Sequence, residues 1–486
     1  MYFSTRVAAD RPINADVPDG DPPEDAAPRA EAEAKGPEAP ATPPAAGPEP
    51  PGPKRRGRVP GALLLIAGLV VVAVGFILLA VLAGRGGGPN SDSTARGPAP
   101  APVVVHEKAA NQGQGEAAEE AAAAEASEEL GYPAFATDNT TRVGGSTAAE
   151  NAAAVALAIF PSTTPKQRPP AVVLVPEEEW AAAIAAAVLI APPVRAPLLF
   201  SGQVGLGEEA APEATEEALA ALDPQGSKAT GGARGFALGG AVVPDSMAGV
   251  EAIRPAGATD AGLENAAANA GGIASLRERL TGSPPNAFVV APYQDPGFAA
   301  PAAAWAARSG DPVLFAAKKV LPKETEEALQ RHAKVPVYVL GPRAAIADSV
   351  LGKIKKLGNP IKRVAGSDPV GNALALARYH DGAFGWDVND PGHGFVLARD
   401  DSPLNAAAAA ALSAAGTWGP LLLTDSADTL PDEVRSYLLD VKPGYTTNPT
   451  RAYYNHVWVI GDQEEIDVKQ QAEVNELAEL AKIGEG

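Results

Sequence analysis

Three stretches decide the fold: AVVLVPEEEWAAAIAAAVL at 171–189, AFVVAPYQDPGFAAPAAAW at 287–305 and GFVLARDDSPLNAAAAAAL at 394–412. Each opens on an apolar run, turns polar, and passes into an Ala-rich stretch. An apolar run of four to six residues without alternation suits a strand buried on both faces, as in the parallel sheet of an α/β unit. Ala is the strongest helix former, so a helix is expected behind each strand.

Working outward, the same order of elements recurs three times. A second strand follows at 196–202 (APLLFSG), 311–317 (DPVLFAA) and 419–425 (GPLLLTD). An acidic helix comes next (PEATEEALAAL, PKETEEALQRH, PDEVRSYLLDV), then a third strand with Gly near its end (GFALGGAVV, VYVLGPRAAI, VWVIGDQEEI). A fourth element carries Arg and Gly, with Arg142, Arg254 and Arg363 spaced 112 and 109 residues apart. The prolines before the second strand (Pro197, Pro312, Pro420) keep a similar period, 115 and 108. A fixed period of that length marks a tandem repeat. Each copy is long enough for a modest core of its own, and right-handed crossovers are expected within it. The fold class is therefore α/β, with three tandem subdomains, each on a small parallel sheet.

The rest of the chain reads differently. Residues 1–58 are rich in Pro, Ala, Glu and Asp without apolar periodicity, and such a segment buries too little apolar surface to offset chain entropy. After Lys54, Arg55, Arg56 and Arg58, the 25 residues from Val59 to Ala83 hold no charge. At about 1.5 Å per residue they span a hydrocarbon core of roughly 30 Å. Only Arg85 follows closely, so the charge bias expects a cytoplasmic N-terminus and a C-terminal part outside the membrane. Gly61, Gly68 and Gly75 recur on one face of that helix, where two spans can approach. The expected organisation is a tail at 1–58, a transmembrane helix at 59–83, a linker or stalk at 84–135, and repeats at 136–252, 253–361 and 362–486.

The repeats resemble the bacterial cell wall-binding type 2 family of Gram-positive envelope proteins. The resemblance rests on the Arg-x-x-Gly opening, the strand with its Ala-rich helix, the Pro-Leu-Leu strand, and Leu321-Pro322 and Leu430-Pro431 before the acidic helices. It implies Rossmann- or Toprim-like subdomains around a pseudo-threefold axis, with an anionic wall polymer held in grooves between them. The family's Asp before Ala is replaced here by Trp180, Phe298 and Asn405. The segment after Arg-x-x-Gly also departs, with Ser146, Thr259 and Asp368 nearby.

Composition narrows the function. The 486 residues carry 39 Lys and Arg against 59 Asp and Glu, a net charge of −20, which argues against a general nucleic-acid binder. Without cysteine there is no disulfide, thiolate metal site or cysteine nucleophile. The histidines (His106, His332, His380, His393, His456) show no ligand spacing, and the Asp387, Asp390, Asp400 and Asp401 segment lacks calcium-loop spacing. No cofactor, metal or catalytic residue is expected.

Arg142, Arg254 and Arg363 stand as candidate phosphate or carboxylate contacts, or as pins across copy boundaries. Lys353, Lys355, Lys356, Lys362 and Arg363 form a dense basic cluster suited to an anionic polymer or to lipid headgroups. The expected function is a non-enzymatic, membrane-anchored envelope protein whose ectodomain binds wall polymer. The alternatives are a protein–protein scaffold, or a small-ligand receptor or enzyme using strand-end crevices, with Asp400, Asp401 and Asn405 of the third copy as its nearest polar set.

Overall fold

The computed structural model describes residues 134–204, 210–253, 262–415 and 419–483. The expected tail, the span at 59–83, nearly all of the stalk and Arg254 lie outside them. Among the described residues no helix is long and apolar enough to cross a membrane.

The strands, in chain order, are β1 (Ala134–Ala136), β2 (Thr140–Val143), β3 (Val172–Pro176), β4 (Leu198–Ser201), β5 (Gly235–Leu238), β6 (Val250–Ile253), β7 (Phe288–Pro292) and β8 (Val313–Ala316). They continue as β9 (Val337–Leu340), β10 (Ile361–Val364), β11 (Gly394–Arg399), β12 (Leu421–Thr424), β13 (Gly444–Tyr445), β14 (His456–Ile460) and β15 (Ala481–Lys482). The α-helices are α1 (Ala148–Ile159), α2 (Trp180–Ala186), α3 (Glu213–Leu222), α4 (Leu263–Thr281), α5 (Pro296–Ala299) and α6 (Pro301–Ser309). They are followed by α7 (Lys323–Arg331), α8 (Asp348–Lys356), α9 (Pro369–Arg378), α10 (Pro403–Ala414), α11 (Asp432–Asp440) and α12 (Val468–Ala478).

Three sheets answer the three copies. Their orders are β4-β3-β5-β6, β8-β7-β9-β10 and β12-β11-β14-β2-β1. Every pairing is parallel except β1 with β2. The central strands β3 and β7 are buried along their whole length, which is why they read as unbroken apolar runs. Each fully buried Val, Leu or Phe there contributes about 1.5–3 kcal/mol.

Sheet boundaries and sequence period do not coincide. The Arg strand opens each sequence copy, yet in the fold it is the fourth strand of the preceding sheet: β6 belongs with β3–β5, and β10 with β7–β9. The first such strand has no sheet before it. β2 instead pairs in parallel with β14, Thr140 opposite Val457 and Val143 opposite Ile460, so the start of the repeat region completes the third sheet and the three units close into a ring. Ala134 and Phe135, assigned above to the stalk, already pair with Val143 and Arg142 in β1. The physical reason is an edge: without β2 and β1, β14 would present unpaired backbone groups.

Each helix that follows a fourth strand crosses to the next unit. Thus α1 packs on β4 and α3 of the first unit, α4 on β8 and α7 of the second, and α9 on β12 and α11 of the third. The helices α2, α6 and α10 touch one another at the centre. Their facing residues are nearly all Ala and fully buried, and so small a side chain lets helix axes approach closely. Capping sets the helix starts: Thr147 accepts from the Glu150 amide at 3.2 Å while Glu150 accepts from the Thr147 amide at 2.9 Å, the reciprocal box that satisfies two orphan donors.

Candidate functional site

The arginines come first. Arg142 is 2% exposed. Its Nε donates to Gln471 Oε1 at 3.0 Å, Nη1 to the carbonyls of Gly461 (2.9 Å) and Asp462 (2.6 Å), and Nη2 to that of Ile466 (2.5 Å). Burial pushes this guanidinium down to about 10, partly opposed by Asp462 and Asp467. Arg363 repeats the arrangement, with Nη1 on the Gly341 carbonyl and Nη2 on that of Ile346, both at 2.7 Å, and Asp348 Oδ1 at 3.2 Å. In both units the side chain staples the Gly-initiated turn that follows the third strand. A guanidinium has five N–H donors, and these two point theirs inward, at their own fold.

Register corrects the third member of the set. Arg142 lies opposite Val459 and Arg363 opposite Val339, but the residue opposite Ala237 is Ala252. Arg254 therefore stands two positions beyond the place of the other two. The buried strand ends Val143, Ile253 and Val364 set the register, and matching Arg to Arg in the sequence overrides them.

An asparagine sits early in each linking helix and reaches back to the unit the chain has just left. Asn151 Nδ2 donates to Asn405 Oδ1 at 2.9 Å, Asn265 Nδ2 to Glu179 Oε1 at 2.7 Å, and Asn372 Nδ2 to the Phe298 carbonyl at 3.1 Å. Asn405 and Phe298 are two of the positions where the resemblance expects Asp, and Glu179 immediately precedes the third, Trp180. These positions are built into contacts between units.

Because the sheets are parallel, the carboxyl-terminal strand ends of a unit share one edge, where α/β folds usually bind ligands. The three edges differ in charge. In the first unit Glu177, Glu178 and Glu179 follow β3. Burial raises the Glu179 carboxyl above the usual range, against the Asn265 hydrogen bond. Beside it Trp180 stacks on Tyr293 (centroids 5.6 Å, 21°) and meets Phe315 edge-on at 5.7 Å, a platform shared by units one and two. The third unit is acidic: Asp400, Asp401, Asp425, Asp462, Glu464 and Glu465 follow its strands. Burial raises Asp400 and Glu465, and Asp401 adds to both, while Arg399 holds Asp401 below its ordinary range at 2.9 Å. The second unit offers Gln294 after β7, Lys318 and Lys319 after β8, and Arg343 after β9.

The sequence cluster Lys353, Lys355, Lys356, Lys362 and Arg363 is divided by the fold. Arg363 is spent on its turn, and Lys362 pairs with Asp381. Lys353, Lys355 and Lys356 are exposed in the last turn of α8, where cations suit the helix dipole. That helix starts at the carboxyl-terminal strand edge and runs back before β10 begins, so its lysines lie toward the opposite edge. His380 faces Asp387 at 3.2 Å and His393 faces Asp390 at 3.1 Å, each as a separate pair. A small cavity lined by Ala274, Glu278, Phe288 and His332 has about 10 Å³, room for one water.

Sequence reading missed the Trp180–Tyr293 platform, Lys318, Lys319 and Arg343. Their signal was position: all follow the end of a repeat strand.

The fold and these edges define a class of protein: a ring of three small parallel α/β units. No protein-family profile matches the chain, and no curated protein matches its sequence. Among solved structures it is similar to Cwp6 from Clostridium difficile, with TM-score 0.52 and 18% identity over 70% of this chain and 47% of that one. It is also similar to Cwp8 from Clostridium difficile, with TM-score 0.52 and 17% identity over 75% of this chain and 55% of that one. The chain thus spans about half the length of either, and at such identities the likeness is one of fold.

Proposed function

We propose that this chain is a non-enzymatic, single-pass envelope protein with a cytoplasmic N-terminus, whose three-unit ectodomain binds an anionic cell wall polymer and tethers membrane to wall. One observation carries the reading: the ring fold is shared with two cell wall proteins, Cwp6 and Cwp8. The order of segments supports it, since a basic flank, an uncharged stretch of 25 residues and a polar spacer precede the ring. The test is co-sedimentation of the full chain, in detergent, with intact walls and with walls stripped of anionic polymers, across a salt series. Binding that needs the polymer and weakens with salt is expected. Equal binding to both preparations, or to neither, overturns the polymer reading.

A second reading, a protein–protein scaffold, has its own observation. Tyr453 is 73% exposed, Tyr454 54% and Leu439 52%, all in the third unit, and exposed aromatics favour protein contacts.

A further inference from the structure

We propose that a polyanion docks on one edge of the ring rather than on three, namely the carboxyl-terminal strand edge of the second unit, through Lys318, Lys319 and Arg343. The inference rests on the wall-polymer reading for the identity of the polyanion, and on charge and geometry for its place.

Hydrogen bonds draw the strand-end loops of this unit together. The Lys318 amide donates to Gln294 Oε1 at 3.1 Å, and its carbonyl accepts from the Ala347 amide at 2.8 Å. The loops after β7, β8 and β9 thereby form one surface. Lys318 and Lys319 are exposed, with no ion pair recorded among the described residues, and Arg343 is 81% exposed, sharing Asp348 with Arg363. Lys318 is held through its backbone, which leaves its ammonium free to meet a ligand.

The same edge of the third unit has the opposite sign. There Asp400 and Glu465 are raised partly by Asp401, and a phosphate brought to this edge would add to that repulsion. At physiological salt charges are screened over about 8 Å, so a polymer senses each edge separately and the chain's net charge of −20 does not decide the matter. The platform next door suits a sugar polymer. The Tyr293 amide donates to the Ala316 carbonyl at 2.9 Å, which puts Tyr293, stacked on Trp180, two residues from Lys318. An aromatic face accepts the apolar face of a sugar ring. Glu179 and Glu264 act on Tyr293, so the anionic groups are directed to the lysine side.

The experiment uses the full chain in detergent and inorganic polyphosphate as probe, with stoichiometry and affinity read by isothermal titration calorimetry. Wild type is expected to bind at one site per chain. The double variant Lys318→Glu with Lys319→Glu should weaken binding at least tenfold. Lys353→Glu with Lys355→Glu, toward the opposite edge, should leave it unchanged. All four positions are exposed, and circular dichroism checks that both variants fold. Three equal sites, no binding by wild type, unaltered binding by the first variant, or a loss confined to the second each overturn the proposal. Wall sedimentation of the same variants separates the two readings. Polyphosphate binding through Lys318 and Lys319 without wall binding ends the tether and leaves the docking edge standing. Walls bound equally by wild type and the first variant end the docking edge and leave the tether.

Discussion

Arg142 donates through Nη1 to the carbonyl oxygen of Gly461 at 2.9 Å across 319 residues of chain. That bond, with the β2–β14 pairing, closes the ring. Replacing Arg142 by Ala leaves three carbonyls and the Gln471 amide without a partner in a site 2% exposed. Charge-assisted hydrogen bonds are worth about 1.5–3 kcal/mol each and are not additive, so a loss of about 3 kcal/mol or more is expected in urea unfolding. Arg142→Lys should recover little, because a compact ammonium cannot span the fork.

Closure also predicts the fate of a shortened chain. Deleting 134–143 removes β1 and β2 and uncovers the edge of β14. Such edges template pairing between molecules. Light scattering should show self-association, and hydrogen exchange should show protection lost at β14 while β3 and β7 keep theirs.

Two glycines separate a close approach from mere permissiveness. A Cβ at Gly366 would lie 2.1 Å from the Gly371 carbonyl carbon and 2.2 Å from the Asn372 amide nitrogen. Those atoms are backbone and cannot swing aside, so Gly366→Ala should cost about 1–3 kcal/mol in thermal unfolding. At Gly352, inside α8, a Cβ meets nothing within 4 Å. Gly352→Ala should stabilise by about 0.5–1 kcal/mol through helix propensity.

The acidic edge of the third unit carries a pH dependence. Burial, and then Asp401, raise Glu465 above its ordinary value of 4.5. A carboxyl raised on folding binds more protons in the folded than in the unfolded state, so its contribution to stability falls as pH rises through and just above that value. Glu465→Gln should flatten the decline in that window, as measured by unfolding midpoints between pH 4 and pH 7. If the slope steepens, Glu465 is stabilised as a carboxylate and the assignment fails.

Much of the architecture was legible because it is local. The unbroken apolar runs at β3, β7 and β11 named parallel strands, and the Ala-rich stretches named the helices now at the centre of the ring. The candidate site was less legible. Arg142 and Arg363 announced themselves by recurrence, but their partners come from turns of the preceding or the last unit. Arg254 was matched by residue type where register puts Ala252. The basic cluster at 353–363 looked single because it is contiguous, whereas the helix that carries it runs from one sheet edge toward the other.

The sequence by itself determined the number of units, the order of elements within each and the acidic balance of the chain, because hydrophobic period and helix propensity act over a few neighbouring residues. Only the tertiary structure decided that β2 serves the third sheet, that the asparagines of α1, α4 and α9 tie neighbouring units, and that Lys318, Lys319 and Arg343 share an edge. Those relations depend on strand pairing across as many as three hundred residues, and pairing at that distance is settled by edge closure and side-chain packing rather than by local pattern.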